Sequence, residues 1–471
     1  MAPHPGKPPH RRLALKRTTR RSGGDAAVLA TLVVSTLAHG ACGSGSNPAD
    51  ASSVTTEPYV LFAPVRSNDT YLMDLQGQLV HRWASDSTPA CSVYLLENGE
   101  LLRPRSLGAG SFPGGGCNGG RVELLDWDGR VVWSYDYLGP DHQQHHDVKR
   151  MPNGHVLMIA WETRTRAEAL AAGRDPSTIP PQGTIWVDHV VEVDPGTNTI
   201  PWVWRAWDHL LPPGQDPAEH PELIDPNAAA TPTNDWTHAN AVDYNSDRDQ
   251  VMISVRNFSE FWVIDHSTTT AQASGHTGGR SGRGGDLLYR WGNARNYGVP
   301  APQQIFGQHN AHWIESGLPG EGHVLLFDNG DQNARPYSTV VEVAPAGGGA
   351  GTPYGLDPQE GFLPAAPLWR YVATPPESLY ARIISSAQRL ASGDTLVCDG
   401  TGGRFLEITP AGETVWTYLV TDTTGATGVT TFRATRYEAG FLGLSGRTLT
   451  PQGPVRAELL PAAAGQGEPP M

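Results

Sequence analysis

The segment from Gly307 to Trp313, GQHNAHW, places two histidines, His309 and His312, three residues apart. An imidazole can bind a metal ion, transfer protons or act as a nucleophile. The segment by itself does not decide between these roles. The decision depends on which other side chains the fold brings to the same place.

Three histidines occupy equivalent positions in a recurring phrase. The phrase joins two apolar runs through a tight turn, as in RMPNGHVLMI from Arg150 to Ile159, which is typical of two paired strands. Seven residues before the Asn or Ser that opens each turn stand Cys91, His146, His238, His309 and Ser385. In a β-propeller such positions on successive first strands form a ring around the channel. We therefore predict that the three histidines face one another at one mouth.

An arginine is predicted to join them. The second strand of a hairpin runs antiparallel to the first, so its end returns to the mouth where the first began. In AVDYNSDRDQVMISVRN that end is Arg256, which should lie beside His238. The remaining candidates, His142, His145, His189 and His312, fall outside the register and are interpreted as structural.

A second recurring phrase predicts the architecture. It ends in a tryptophan, often with Tyr two residues later, and occurs six times among short strands without helical periodicity. The chain is rich in turn formers and aromatics, with Gly 54, Pro 40 and Trp 14. We predict an all-β fold, a six-bladed β-propeller with long loop insertions around residues 163–185 and 266–285. A pair of β-sandwiches is the competing fold. The six endings are Trp83, Trp133, Trp204, Trp291, Trp369 and Trp416.

Charge and lysine content exclude several functions. The net charge is -14, and residues 1–42 hold seven basic residues against one acidic residue, so the rest is more acidic still. Nucleic acid is therefore not an expected partner. The lysines are Lys7, Lys16 and Lys149, which leaves no place for a phosphate-binding loop of the G-x-x-x-x-G-K-[ST] type. No nucleotide or other cofactor is expected.

The N-terminal segment resembles an export signal. A basic stretch, an apolar run from Ala26 to Ala38 and small residues before Cys42 have the order of a signal peptide. We predict a signal over 1–42, a linker over 43–56, a propeller over 57–455 and a disordered tail over 456–471. The expected location is the periplasm or cell envelope. Cys42 leaves a lipid tether and plain secretion both open, and Cys91 and Cys117 are either paired or free.

Two chemistries suit three imidazoles. A zinc site is one, with Asp147 as a carboxylate ligand, but a nearby Arg256 would repel a dication. An oxyanion is the other, because a guanidinium offers paired donors to sulfate or phosphate oxygens. A neutral imidazole is also a competent nucleophile towards a transferable group. We favour the second chemistry and expect no metal in the site.

Several phrases together resemble the bacterial arylsulfotransferase family. They are HHDVKRMPNG, DWTHANAVDYN, SVRNFSEFWVID, GQHNAHW with LLFDNG, and IISSAQRLASGDTLVCDGTGGRFLEITPAGETVWTY. The resemblance runs from about Tyr59 to Trp416. It implies a six-bladed propeller that moves a sulfuryl group from a phenolic sulfate ester to a phenol without a nucleotide donor.

The resemblance also implies roles for the four residues of the predicted ring. His309, in GQH, corresponds to the nucleophile that becomes sulfated on nitrogen. His146, His238 and Arg256 correspond to the groups that bind the sulfuryl oxygens and handle the phenolic proton. Other hypotheses stay open at this point: an envelope propeller that binds a small anionic or aromatic ligand, or a metal-dependent esterase or lactonase. The oligomeric state is not predicted.

Overall fold

The computed structural model describes residues 57–349 and 351–461 of the protein. Six antiparallel sheets of four strands each form a six-bladed β-propeller, which confirms the predicted fold class. Two short helices interrupt the described chain, α1 (Arg166–Ala171) and α2 (Thr270–Ala273). None of its helices is long and apolar enough to cross a membrane. The predicted signal over 1–42 and linker over 43–56 lie outside the described residues.

The strands follow one another along the chain as four-stranded units. The first half comprises β1 (Tyr59–Pro64), β2 (Thr70–Asp74), β3 (Leu79–Trp83), β4 (Tyr94–Leu95), β5 (Leu101–Ser106), β6 (Gly120–Leu125), β7 (Val131–Asp136), β8 (His142–Arg150), β9 (Val156–Thr165), β10 (Thr184–Asp194), β11 (Thr199–Arg205), β12 (Ala239–Asn245) and β13 (Gln250–Val255). The second half comprises β14 (Glu260–Asp265), β15 (Tyr289–Trp291), β16 (His309–Trp313), β17 (Val324–Asp328), β18 (Thr339–Val343), β19 (Leu356–Asp357), β20 (Gly361–Phe362), β21 (Trp369–Val372), β22 (Ser386–Arg389), β23 (Thr395–Asp399), β24 (Arg404–Ile408), β25 (Thr414–Leu419) and β26 (Thr431–Tyr437).

One blade combines both ends of the chain. In blade 1 the C-terminal strand β26 pairs with β1, which continues to β2 and β3. Blades 2 to 6 each use four strands in chain order, with β21 as the fourth strand of blade 5. The innermost strands β8, β12, β16, β22 and β26 contact one another around the channel. The ring is therefore closed by pairing between strands from opposite ends of the sequence.

The six tryptophans that revealed the repeat all lie on the fourth, outer strand of a blade. Each indole N–H donates to the connection between the third and fourth strands of the next blade. The last tryptophan bonds to the first blade, so the cycle is complete. Its hydrogen bonds are Trp83 to the Asp126 carbonyl (3.2 Å), Trp133 to Oδ1 of Asn198 (2.8 Å), Trp204 to the Gly285 carbonyl (2.7 Å), Trp291 to the Pro364 carbonyl (2.7 Å), Trp369 to the Pro410 carbonyl (3.1 Å) and Trp416 to the Leu75 carbonyl (2.9 Å).

Both predicted insertions are excursions between strands of one blade. The 163–185 segment extends the β9–β10 hairpin and carries α1, and the 266–285 segment lies between β14 and β15 and carries α2. At the other end, the buried Ala457 accepts from Thr423 and donates to the carbonyl of Thr421. Packed structure therefore extends into the first residues of the tail predicted over 456–471. Residues 462–471 lie outside the described part of the chain.

Candidate functional site

Residues at the equivalent positions of several blades share an unusual backbone conformation. His146 and His238 both have a φ of 52°, Cys91 has 88° and Ser385 has 86°. Non-glycine residues rarely adopt this left-handed conformation, which costs free energy and persists where the surrounding structure requires it. In the fifth blade the same feature falls one residue later, on Asn310 at 57°. The register that selected these positions from the sequence thus corresponds to a repeated backbone feature.

The predicted residues lie together where the chain adopts this conformation. The imidazole rings of His146 and His238 are 4.8 Å apart between centroids. His146 and His309 both pack against Phe432, at 6.0 and 6.3 Å. The backbone N–H of Arg256 donates to the carbonyl of His238 at 3.1 Å, as antiparallel pairing predicted. Three blades and the closing strand therefore meet at one point of the channel.

The tautomer of His309 follows from its partners. Nδ2 of Asn329 donates to the carbonyls of Ala381 and Ile384, at 2.7 and 2.9 Å. Oδ1 of Asn329 must then be the atom that faces Nδ1 of His309 at 2.8 Å. Because an amide oxygen can only accept, Nδ1 carries the proton and Nε2 carries a lone pair. That lone pair accepts a long hydrogen bond, 3.2 Å, from the backbone N–H of Ile384.

Burial and the positive charge of Arg256 keep His309 uncharged. Burial lowers the pKa of His309 well below its usual value, and the positive charge of Arg256 lowers it further. Burial likewise lowers the pKa of His146, with His238 as the next contribution. Both side chains are almost fully buried, at 2 and 3% exposure. At neutral pH the site therefore holds two neutral imidazoles with available lone pairs.

A buried relay behind His146 was not predicted. Oδ2 of Asp188 accepts from the N–H of Ala239 at 2.7 Å, and Oδ1 accepts from Nε2 of His145 at 2.7 Å. Nδ1 of His145 lies 2.7 Å from Nδ1 of His146. Burial lowers the pKa of His145, so this ring is neutral and its Nδ1 accepts from His146. The free acceptor of His146 is then Nε2. His145, interpreted from sequence as structural, instead fixes the tautomer of a site residue.

His238 and Arg256 complete the site. Nδ1 of His238 donates to Oδ2 of Asp235, which fixes the orientation of that ring. Arg256 donates from one terminal nitrogen to Oδ1 of Asn257 at 3.1 Å, while its buried Nε has no protein partner among the described residues. A guanidinium with a free donor is suited to bind an oxyanion.

A disulfide lies directly beside His146. Cys91 and Cys117 are bonded, with their Cα atoms 5.5 Å apart, so the structure selects pairing from the two alternatives. The N–H of His146 donates to the carbonyl of Cys117 at 3.1 Å, and the N–H of Ser92 donates to the carbonyl of His146 at 3.3 Å. The backbone of His146 is therefore held between the two segments that the disulfide joins.

Asp147 does not belong to this cluster, so its suggested role as a zinc ligand is wrong. Its oxygens accept from Arg433 at 3.1 and 3.2 Å and from the hydroxyl of Tyr94 at 2.6 Å. It faces a cavity of about 1220 Å³ that fills the opposite part of the channel. His312 lines the same cavity and bonds through Nδ1 to the carbonyl of Asn310. His146 and Asp147, which are adjacent on β8, thus face two different ends of the channel.

The other histidines outside the register lie apart from the site. His142 pairs with the exposed Asp141, and His189 bonds to the hydroxyl of Tyr137 at 2.9 Å. The structural interpretation of these two agrees with their contacts. The partners that sequence analysis missed, Asp188, Asp235 and Asn329, lie on other strands or loops. The phrase LLFDNG, which ends at Asn329 and Gly330, was the available signal for one of them.

Comparison with known proteins bears on this site. The family model described as Arylsulfotransferase (ASST) matches residues 48–426. Curated protein sequences gave no match. Among solved structures, a protein of unknown function from Bacteroides caccae is 12% identical over 81% of this chain and 98% of its own, with a TM-score of 0.44. Virginiamycin B lyase from Staphylococcus aureus is 9% identical over 77% and 84%, with a TM-score of 0.36. Scores this low carry no argument about function.

Proposed function

The chain belongs to the arylsulfotransferase family and is an aryl-sulfate sulfotransferase, and we propose that the sulfuryl group passes through a covalent adduct on Nε2 of His309. The observation that carries this proposal is the hydrogen bond from Nδ1 of His309 to Asn329, which leaves Nε2 as the lone pair. The lowered pKa of His309 keeps that lone pair free of a proton. Both conditions are required of an imidazole nucleophile.

In the first half-reaction Nε2 of His309 attacks the sulfur of a phenolic sulfate ester. The N–S bond forms, the bond from sulfur to the phenolic oxygen breaks, and the phenolate leaves with the electron pair. Negative charge collects on the leaving oxygen and the sulfuryl oxygens, so nearby cationic donors lower the barrier. In this proposal Arg256 supplies one such donor, and His238 supplies a second when it carries a proton on Nε2. The N–H of Ile384 releases Nε2 as the attack begins and can then donate to a sulfuryl oxygen.

The second half-reaction frees the nucleophile. The enzyme regains its starting state when the proton gained by His146 replaces the one that His238 gave up, between the neighbouring rings or through solvent. The oxygen of an incoming phenol attacks sulfur, the N–S bond breaks and its electrons return to Nε2 of His309. The phenolic proton goes to a neutral imidazole, for which His146 is suited because its Nε2 is an acceptor and its Nδ1–H is held by His145. His238, paired with Asp235, is suited to give a proton to the first leaving group. Alternating use of one site predicts ping-pong kinetics.

We also propose that the protein works outside the cytoplasm. The disulfide between Cys91 and Cys117 supports this, because such bonds persist in oxidising compartments. The export signal and the possible lipid on Cys42 lie outside the described residues, so they rest on sequence alone. Fractionation of cells that make the full chain, with Cys42→Ser as the comparison, tests the tether. Release of the variant but not the parent protein from membranes would establish it.

The covalent step is tested with the purified chain lacking residues 1–42. The protein is mixed with p-nitrophenyl sulfate without acceptor, quenched in alkali and mapped by mass spectrometry. We expect a sulfuryl adduct on the peptide that contains His309, and its loss when phenol is added. His309→Asn should abolish the adduct and nitrophenol release.

The matched control is His312→Asn, three residues along the same strand but in the opposite cavity. This variant should form the adduct at close to the parent rate. Labelling that persists in His309→Asn, or equal loss in both variants, would contradict the assignment. Nitrophenol release without any adduct would indicate direct transfer between donor and acceptor.

A further inference from the structure

A second cluster of ionisable side chains lies far from the channel, at the junction of blades 3 and 4. His209 ends a turn that follows β11, the outer strand of blade 3. His276 and Asp286 belong to the insertion between β14 and β15 of blade 4. One ligand-type atom from each of the three lies within 4.8 Å of the others, and among the described residues this is the one such group.

The hydrogen bonds of this cluster leave one nitrogen lone pair facing a carboxylate oxygen. Nε2 of the buried His209 lies 2.8 Å from the carbonyl of Ala273, and it must donate because a carbonyl only accepts. A neutral His209 then has a bare lone pair on Nδ1, which lies 2.9 Å from Oδ1 of Asp286. Nδ1 of His276 lies 2.7 Å from the same oxygen. A metal ion between these atoms would satisfy both acceptors.

We propose that His209, His276 and Asp286 bind a divalent ion of the zinc class. Two imidazole nitrogens and one carboxylate oxygen are a ligand set that zinc prefers, with solvent in the fourth position. Calcium and magnesium are disfavoured because they select oxygen ligands. The bond from Nε2 of His209 to the Ala273 carbonyl is the outer hydrogen bond that commonly orients a metal-bound imidazole.

The distances between the ligand atoms fit a bound metal ion after a small adjustment. Tetrahedral zinc with bonds of about 2.0 Å needs ligand atoms about 3.3 Å apart, slightly more than the present 2.7 and 2.9 Å. His276 is 58% exposed at its side chain and can move, whereas His209 is fixed. The exposed ring also gives the ion a path from solvent. Metal ions compete with protons for imidazole nitrogens, so binding should release protons and weaken at low pH.

A metal here would reinforce the contact between two blades. Trp204 of blade 3 donates to the carbonyl of Gly285, the residue before Asp286, and its ring stacks on His209 at 5.7 Å. Gly285 and His209 approach each other so closely that a Cβ on Gly285 would lie 2.6 Å from Nε2 of His209. The ion would therefore fasten the 266–285 insertion to the preceding blade, independently of the sulfuryl transfer site.

The test uses the chain lacking residues 1–42, prepared without a polyhistidine tag and stripped with a chelator. Titration with Zn²⁺ in two buffers of different protonation enthalpy should give about one equivalent and a net release of protons. The melting temperature should rise with metal concentration. Substituting Co²⁺ should give the intense visible absorption of a four-coordinate site.

Variants at the exposed ligand keep the experiment independent of folding. His276→Ala should weaken zinc binding at least about tenfold, since even outer partners of metal ligands affect affinity by that much. His220→Ala, at an exposed histidine whose Nδ1 lies 3.5 Å from Glu222, is the matched control and should bind like the parent. Parent protein that binds no stoichiometric zinc, or His276→Ala that binds it equally well, would overturn the proposal and leave the cluster as a structural hydrogen-bonded contact.

Discussion

The Nδ1 atoms of His145 and His146 lie 2.7 Å apart, so one proton is shared between two residues that are adjacent in sequence. The left-handed φ of His146 makes this possible, because it turns two consecutive side chains towards each other. Behind them, Asp188 accepts from Nε2 of His145. The fully buried carboxylate therefore controls, through His145, which nitrogen of His146 can receive a proton.

Asp188→Asn should impair this relay. We expect the rate of transfer to phenols to fall on the order of tenfold to a hundredfold, part of what general base catalysis contributes. The loss should be larger for weakly acidic phenols, which depend more on a base. Steady-state rates against a series of substituted phenols measure this. Asp243→Asn, at a buried aspartate that pairs with Lys149 at 2.7 Å in the opposite cavity, is the control; equal losses for all acceptors would indicate a structural role only.

The rate of sulfuryl capture by His309 should resist acid. Burial and then Arg256 lower the pKa of His309, so its neutral form persists below the pH at which an ordinary histidine becomes protonated. The nitrophenol burst in single-turnover experiments should therefore stay constant as the pH falls through about 6.5. It should decline only at lower pH. A decline centred on 6.5 in the parent protein would contradict the assigned environment of this imidazole.

Removing the disulfide should affect both stability and the site. The bond closes a loop with a sequence separation of 26 residues, so Cys91→Ala with Cys117→Ala should destabilise the protein by about 2–4 kcal/mol. Because these segments hold the backbone of His146, transfer should slow at temperatures where the variant is still folded. Calorimetry measures the loss of stability, and rates measured well below the melting temperature of the variant measure the effect on the site. Reduction of the parent protein should reproduce them; unchanged rates in the reduced, folded protein would show that His146 is held by other contacts.

The tryptophan cycle predicts where the propeller is most easily weakened. Trp416→Phe removes the donor to the Leu75 carbonyl, the bond that joins the last blade to the first. We expect a loss of about 1–3 kcal/mol from the unpaired carbonyl and the smaller ring. Trp133→Phe is the matched control, because its partner is a side-chain oxygen of Asn198 rather than a backbone carbonyl. Thermal unfolding of both should show the larger decrease in melting temperature for Trp416→Phe; the opposite order would be inconsistent with a closing role.

The sequence predicted the ring of site residues because a repeat converts a position within each unit into a position around an axis. His146, His238 and His309 share a register, and Arg256 follows from antiparallel pairing. His145 could not be found in this way, since alternation along a strand would point it away from His146. Only the φ of 52° at His146 reverses that expectation.

Other partners were beyond prediction for a different reason. Asp188, on β10, lies in the same blade as His145 but 43 residues away in sequence, and Asn329 follows β17 in the same blade as His309, 20 residues away. Both contacts depend on the pairing register of the strands and on the course of the chain between them. The same holds for the pairing of β26 with β1, which joins segments at opposite ends of the chain. The choice between bonded and free Cys91 and Cys117 also needed coordinates. Local sequence patterns carry no information on such contacts. A repeated pattern predicts only the positions that the repeat itself places around the axis.

The closed cycle of indole hydrogen bonds affects how the protein unfolds. A linear array of repeats can fray from its end units, because each end has one neighbour only. A closed ring has no end unit, so the first opening must break a joint with packed blades on both sides. The candidate site draws its groups from blades 3, 4 and 5 and meets the closing strand. Amide hydrogens around it should therefore exchange with solvent only when the whole ring opens.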